Sequence, residues 1–330
     1  MIKTTVVGSY PMLDWLVALP SEQALTDATA VVLKTQELAG LDLIADGELY
    51  RFDINHPQTN GMIDYFVGQL GGIRTNLGRQ DVADFQKVKG MGFRKAPAGV
   101  VEGPIHEGTI DLVGDYRRVR SLTNAPLKFT VTGPHMLSKT LFDQHYKSLP
   151  LMAEGLAKAL AKQIAEIDAD VLQLDEANLP GSPEEADWAA DTINIMLDAV
   201  QGTPAVHLCF GNYGGQSIQK GTWNALLGYM NKLHVDHLVL EFAFRGYKEL
   251  EKFSDLNDNV GLGIGVIDVK TTVVESAEEV ARRIEMAANL VGADRIKYVH
   301  PDCGFWMLPR SVADGKMKAI VKGRDLFEGR

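Results

Sequence analysis

Short apolar runs closed by Gly, Pro, Asp or Asn recur at 4–8, 41–46, 127–132, 170–175, 204–209, 237–242, 261–267 and 296–300, the pattern of buried strands. Between most of them lie stretches with apolar positions three and four apart, at 22–39, 150–167, 184–200, 216–233 and 275–291, which is the period of an amphipathic helix. Runs such as Val171-Leu172-Gln173-Leu174 and Leu238-Val239-Leu240 do not alternate apolar with polar. A strand that is apolar on both faces belongs in a parallel sheet covered on both sides. Eight strand–helix units in 330 residues predict an α/β fold of the (β/α)8 TIM-barrel kind rather than an open doubly wound sheet.

The segment from about 50 to 120 breaks this rhythm. It is long, polar and glycine-rich, with Gly71-Gly72, Gly90, Gly92, Gly99, Gly103 and Gly108, and long structureless loops are uncommon in compact domains. It therefore reads as an insertion between strands 2 and 3 that forms a hairpin or lid. No linker, low-complexity tract or internal repeat interrupts the chain, so residues 1–330 are expected to form a single domain.

Composition narrows the function. With 45% apolar residues a large core is available, and no apolar run approaches the roughly 20 residues that span a bilayer. No basic segment followed by an apolar one opens the chain, so a cytoplasmic protein with no membrane partner is expected. A net charge of −10 argues against a nucleic-acid partner, because neutralising phosphates needs a surplus of Lys and Arg. Oligomeric state leaves no trace in the sequence.

Only two cysteines occur, Cys209 and Cys303, and lone cysteines are ordinarily small buried hydrophobes. Their neighbours point elsewhere. In a barrel of this kind the C-terminal strand ends line the active site. Here those ends carry Ser9, Asp46-Gly47-Glu48, Asp175-Glu176, His207-Leu208-Cys209, Glu241, Asp268 and His300-Pro301-Asp302-Cys303. His207 and Cys209 are two apart, so on a strand they face the same side. An imidazole and a thiolate suit Zn2+, and Cys303 with Glu241 would complete a tetrahedral site. The pair also fits a hydrogen-bonded histidine beside a buried cysteine. His300 is expected to be a satisfied neighbour of the site rather than a ligand. Gly261-x-Gly263-x-Gly265 lies inside an apolar strand and is not a nucleotide loop. Gly211-Asn212-Tyr213-Gly214-Gly215 reads as a plain turn after the fifth strand.

Taken in order, Val7-Gly8-Ser9-Tyr10-Pro11, Asp46-Gly47-Glu48, Thr132-Gly133-Pro134, Leu174-Asp175-Glu176, His207-Leu208-Cys209, Leu240-Glu241 and His300-Pro301-Asp302-Cys303-Gly304 span nearly the whole chain. They resemble the zinc- and homocysteine-binding catalytic barrel of the cobalamin-independent methionine synthases. The resemblance implies that His207, Cys209, Glu241 and Cys303 hold zinc, and that Ser9, Glu48 and Asp175 bind the substrate amino acid. It further implies an S-methyltransferase that turns the homocysteine thiolate into methionine.

Two departures bear on the methyl donor. Folate-using members carry an Asp-Ile-His triplet on the seventh strand, where this chain has Asp268-Val269-Lys270. They also have a pterin-binding tryptophan after the Thr-Gly-Pro turn, where this chain has Leu137, Leu141 and Phe142. The expected donor is a methylated corrinoid protein, which needs no proton at its leaving group, or a methylated folate. Asp268 and Lys270 become the candidate catalytic pair. Two alternatives stand beside this reading. One is a zinc-dependent transferase or lyase acting on another thiol, like the epoxyalkane:coenzyme M transferases, with Lys270 serving the sulfonate or an alkoxide. The other is a non-zinc barrel like the uroporphyrinogen decarboxylases.

Overall fold

The computed structural model describes residues 1–53, 60–88, 94–212 and 215–330. Eight parallel strands follow one another around the sheet: β1 (Lys3–Thr4), β2 (Ile44–Ala45), β3 (Leu127–Thr132), β4 (Val171–Glu176), β5 (Thr203–Leu208), β6 (His237–Leu240), β7 (Gly261–Ile267) and β8 (Ile296–Pro301). Neighbours run β1-β8-β7-β6-β5-β4-β3-β2. Single parallel bridges Thr5–Leu43 and Ser9–Gly47 join the two ends, closing the TIM barrel predicted from the apolar runs. Each strand overlaps its predicted run, and β2, β3, β4, β6 and β7 are buried along their whole length, whereas β1 begins at exposed Lys3 and β5 at half-buried Thr203.

Val7, Leu43, Val171, Ala205, Val239 and Tyr298 form a compact apolar cluster contributed by six different strand regions, the layered filling of a barrel interior. The outer helices include Glu22–Ala39, Leu149–Ile164, Ala186–Leu197, Ala277–Val291 and Arg310–Glu328. Glu22–Ala39 begins where Ser21 accepts a hydrogen bond from the Ala24 amide at 3.0 Å, an N-cap contact worth about 1 kcal/mol. Its buried Gln36 makes up for the shortness of β2, donating to the Ala45 carbonyl at 2.6 Å and accepting from the Ala45 amide at 2.9 Å.

Two expectations are corrected. Residues 216–233 are not one helix: Gln216 to Thr222 run irregularly and helical turns begin only at Trp223. The amides of Ile218 and Gln219 both donate to the Phe210 carbonyl at 2.8 Å, drawing this segment over the barrel mouth instead of along its side. The segment 50–120 is also not all insertion, since Leu112–Arg120 is a helix leading into β3. The inserted part pairs Gly71–Arg74 antiparallel with Gly99–His106, and Gly99–His106 pairs in turn with Leu141–Asp143. Tyr213 and Gly214 of the predicted turn, and 54–59 and 89–93 of the insertion, lie outside the described residues. No helix among the described residues is long and apolar enough to cross a membrane.

Candidate active site

A cavity of about 370 Å³ opens at the C-terminal end of the barrel, lined among others by Ser9, Glu48, Asp175, His207, Cys209 and Cys303. These residues come from five distant stretches of sequence and meet there because parallel strands all end on the same face. The insertion adds Asn60, Met62, Ile63, Asp64 and Arg94 to the wall, so it covers the mouth as a lid would. Trp306 also lines the cavity and stacks on Phe52 with ring centroids 5.5 Å apart.

On one side of the cavity lies a group of metal-ligand atoms. Those of His207, Cys209 and Cys303 all lie within 4.8 Å of one another. His207 Nδ1 donates to the Val239 carbonyl at 2.9 Å, and its Nε2 is buried without a hydrogen-bond partner. Such a contact fixes the tautomer and leaves the Nε2 lone pair for a metal. The two thiols divide a proton unequally. Cys303 is drawn well below the usual thiol range by the hydrogen bond from Cys209 and by His207, and the contact with Cys303, added to burial, pushes Cys209 up. One nitrogen and two sulfurs are a donor set for zinc.

Glu241, the fourth predicted ligand, is fully buried but its carboxylate is engaged elsewhere. Oε1 accepts from Lys270 Nζ at 2.7 Å and Oε2 from the Phe210 amide at 3.0 Å. Lys270, on the turn after β7, is thereby paired with Glu241, and neither of the two lines the cavity. Asp268 is absent from the cavity lining; its Oδ1 accepts from the Lys270 amide at 2.8 Å, which shapes that turn.

The other side carries the carboxylates. Glu48 Oε1 accepts from Thr130 Oγ1 at 2.6 Å, and Arg51 stands 3.6 Å from Oε2. Asp175 Oδ1 accepts from Gln173 Nε2 at 2.8 Å, and Gln173 Oε1 accepts in turn from Lys128 Nζ at 2.9 Å. Burial pushes Asp175 up to about 7, with His207 opposing and the Glu48 charge adding to the rise. Burial also pushes Lys128 down to about 7. Two buried carboxylates that repel each other gain from a cation between them. Gly8 makes room for this arrangement, since a Cβ there would stand 2.1 Å from Glu48 Oε1; a Cβ on Gly304 would stand 2.0 Å from Ser9 Oγ.

His300 stays out of the metal-ligand group: burial pushes it down to about 3, and Nδ1 donates to the Pro301 carbonyl at 2.7 Å. Thr130, Gln173, Lys128 and Arg51 escaped the sequence reading. Their signal was the alternation of Lys128, Thr130 and Thr132 in β3 and of Gln173 and Asp175 in β4, polar residues on one face of otherwise apolar strands.

The family model for the cobalamin-independent synthase catalytic domain matches residues 2–323. The chain belongs to this family. It is an enzyme of the methyltransferase class, and relatives named methionine synthase match it almost end to end. The one from Sulfurisphaera tokodaii is 28% identical over 98% of this chain and 91% of its own length. The one from Thermococcus kodakarensis is 29% identical over 99% and 93%. Among solved structures, a B12-independent methionine synthase from Shewanella sp. W3-18-1, in complex with selenomethionine, superposes with a TM-score of 0.80 at 25% identity, covering 100% of this chain and 98% of that one. A methyltransferase from Methanosarcina mazei shares the fold, with a TM-score of 0.61 at 16% identity and coverage of 99% and 95%.

Proposed function

We propose that this chain methylates the sulfur of homocysteine to give methionine, with zinc held by His207, Cys209, Cys303 and Glu241 and the amino acid held by Ser9, Glu48 and Asp175. The observation that carries the reading is the free Nε2 of His207 among two cysteine sulfurs, in the same cavity as two buried carboxylates. Zinc, when bound, makes a thiolate of an alkyl thiol at neutral pH.

The protein's own groups do the rest. Glu48 and Asp175 hold the substrate ammonium, each oriented by a buried hydrogen-bond partner. Ser9 takes the carboxylate, and Asp268 positions Lys270. The barrel and its inserted cover work as one unit, excluding water from the thiolate. A carboxylate pair favours an ammonium-bearing thiol over a sulfonate such as coenzyme M. A departing folate requires an acid where Lys270 stands, and that ammonium is paired with Glu241. The donor is a methylated corrinoid protein or a methylated folate, the second of which needs the Lys270 ammonium as its acid.

Zinc X-ray absorption on the purified protein tests this, with and without homocysteine and, separately, coenzyme M. Two sulfurs rising to three with homocysteine alone is the expected result. A third sulfur gained only from coenzyme M overturns the substrate, and absence of stoichiometric zinc after reconstitution overturns the whole reading.

A further inference from the structure

The pairing of Lys270 with Glu241 calls for its own explanation. Both side chains are buried, at 2% and 0% exposure, where an ammonium without a counter-charge is strongly unfavourable. Lys270 does not reach there from a solvated loop. Its amide is fixed by Asp268, its ammonium stands 4.7 Å from the centre of the Phe244 ring, and the turn behind it is pinned by buried Lys316. Lys316 donates to the Asp268 carbonyl at 2.9 Å, to the Val273 carbonyl at 2.5 Å and to Glu275 Oε2 at 2.8 Å. The ammonium is thus held in place, with the Glu241 carboxylate against it. Neither carboxylate oxygen takes its hydrogen bond from the His207, Cys209 and Cys303 group.

We propose that Lys270 is a positioning residue that gives Glu241 a second seat off the metal, so that the substrate thiol takes the coordination position the carboxylate leaves. The inference rests on the zinc reading above. Charge favours it. Two thiolates and a carboxylate around a divalent ion already carry one net negative charge, and a third thiolate adds another. A carboxylate that can retire onto an ammonium keeps the exchange from stranding a buried anion. In the exchange the Glu241 oxygen–metal contact is lost, a substrate sulfur–metal contact forms, and the thiol proton is released to solvent.

The test uses zinc-loaded wild type, Lys270→Met, Lys270→Arg and the double variant Lys270→Met/Glu241→Gln. Homocysteine uptake is followed by counting sulfurs at zinc with X-ray absorption, and zinc retention by chelator competition. Lys270→Met is expected to hold zinc at least as tightly as wild type but to need about ten-fold more homocysteine for the third sulfur, the low end of what loss of an outer partner costs a metal site. Lys270→Arg should stay near wild type. The double variant, with no carboxylate charge to displace, should recover homocysteine uptake. A Lys270→Met protein that gains the third sulfur at the wild-type concentration overturns the inference, as does a double variant no better than Lys270→Met. Absence of zinc from wild type is a separate result and overturns the zinc reading itself.

Discussion

Glu48 sits at φ 59°, a left-handed conformation that costs a residue with a side chain on the order of 1 kcal/mol or more. The turn is held from both sides. Asp46 Oδ1 accepts from the Glu48 amide at 2.9 Å, and the Tyr10 amide donates to the Gly47 carbonyl at 3.0 Å. Asp46 Oδ2 is buried with no partner, and burial pushes this carboxyl up to about 6, Arg51 opposing. The native state therefore keeps a proton that the unfolded chain has released, and stability falls as pH rises from about 4 to about 6, by up to about 3 kcal/mol. Urea unfolding across that range should show this decline in wild type and a flatter profile in Asp46→Asn; parallel profiles would rule Asp46 out as its source. At this scale the sequence was partly legible. His207 and Cys209 declared themselves because two-residue spacing on a strand puts both on one side. The Lys128–Gln173–Asp175 chain did not, because three polar residues in strongly apolar strands look like exceptions until the strands are side by side.

The turn after β6 illustrates what an element needs to carry a ligand. Asp302, just past β8, accepts from the amides of Phe242 at 2.9 Å, Ala243 at 2.8 Å and Phe244 at 2.7 Å, and so fixes the chain leaving Glu241. β7 lies between these two strands and must be thin. A Cβ on Gly265 would stand 2.1 Å from Asp302 Oδ1, and one on Gly263 would stand 2.9 Å from His300 Nε2. The glycine repeat of β7 is thus explained by close approach. Asp302→Ala leaves three amides without their acceptor, at about 1–3 kcal/mol for each one that stays buried. A loss of at least about 3 kcal/mol in denaturant unfolding, with Glu241-dependent zinc affinity lost as well, is expected; a change below about 1 kcal/mol would show the turn to be self-sufficient. The strands, most of them buried on both faces, were readable from apolar runs alone. The segment at 216–222 was not, because its course is set by two hydrogen bonds to Phe210 rather than by its own periodicity. The Leu112–Arg120 helix was hidden by the polar, glycine-rich sequence around it.

For the molecule as a whole, a metal held by the proposed ligands would be tied to three strand ends and would couple binding to folding. Removing zinc with a chelator should lower the thermal midpoint, and adding it back should restore it. The expected gain is about 2.7 kcal/mol when free zinc is a hundred times its dissociation constant. A midpoint indifferent to chelation would mean the ion contributes nothing to holding β5, β6 and β8 together. The global arrangement was legible because a parallel barrel sends every strand end to one face, which brings Ser9, Glu48, Asp175, His207, Cys209 and Cys303 to one cavity while Glu241, Asp268 and Lys270 stay out of its lining. The pairing of Glu241 with Lys270 was not, since the two are 29 residues apart in the sequence and nothing in either segment specifies the other.

The closure of the barrel carries one more consequence. β1 and β2 meet through single bridges, Thr5–Leu43 and Ser9–Gly47, while β4 and β5 share six registered pairs. The hoop is thin at its join and beside it, where β1–β8 and β2–β3 share two registered pairs each, and Ser9 and Glu48 stand on opposite sides of that join. A substrate held by both residues, as proposed, would act as a buckle across the seam.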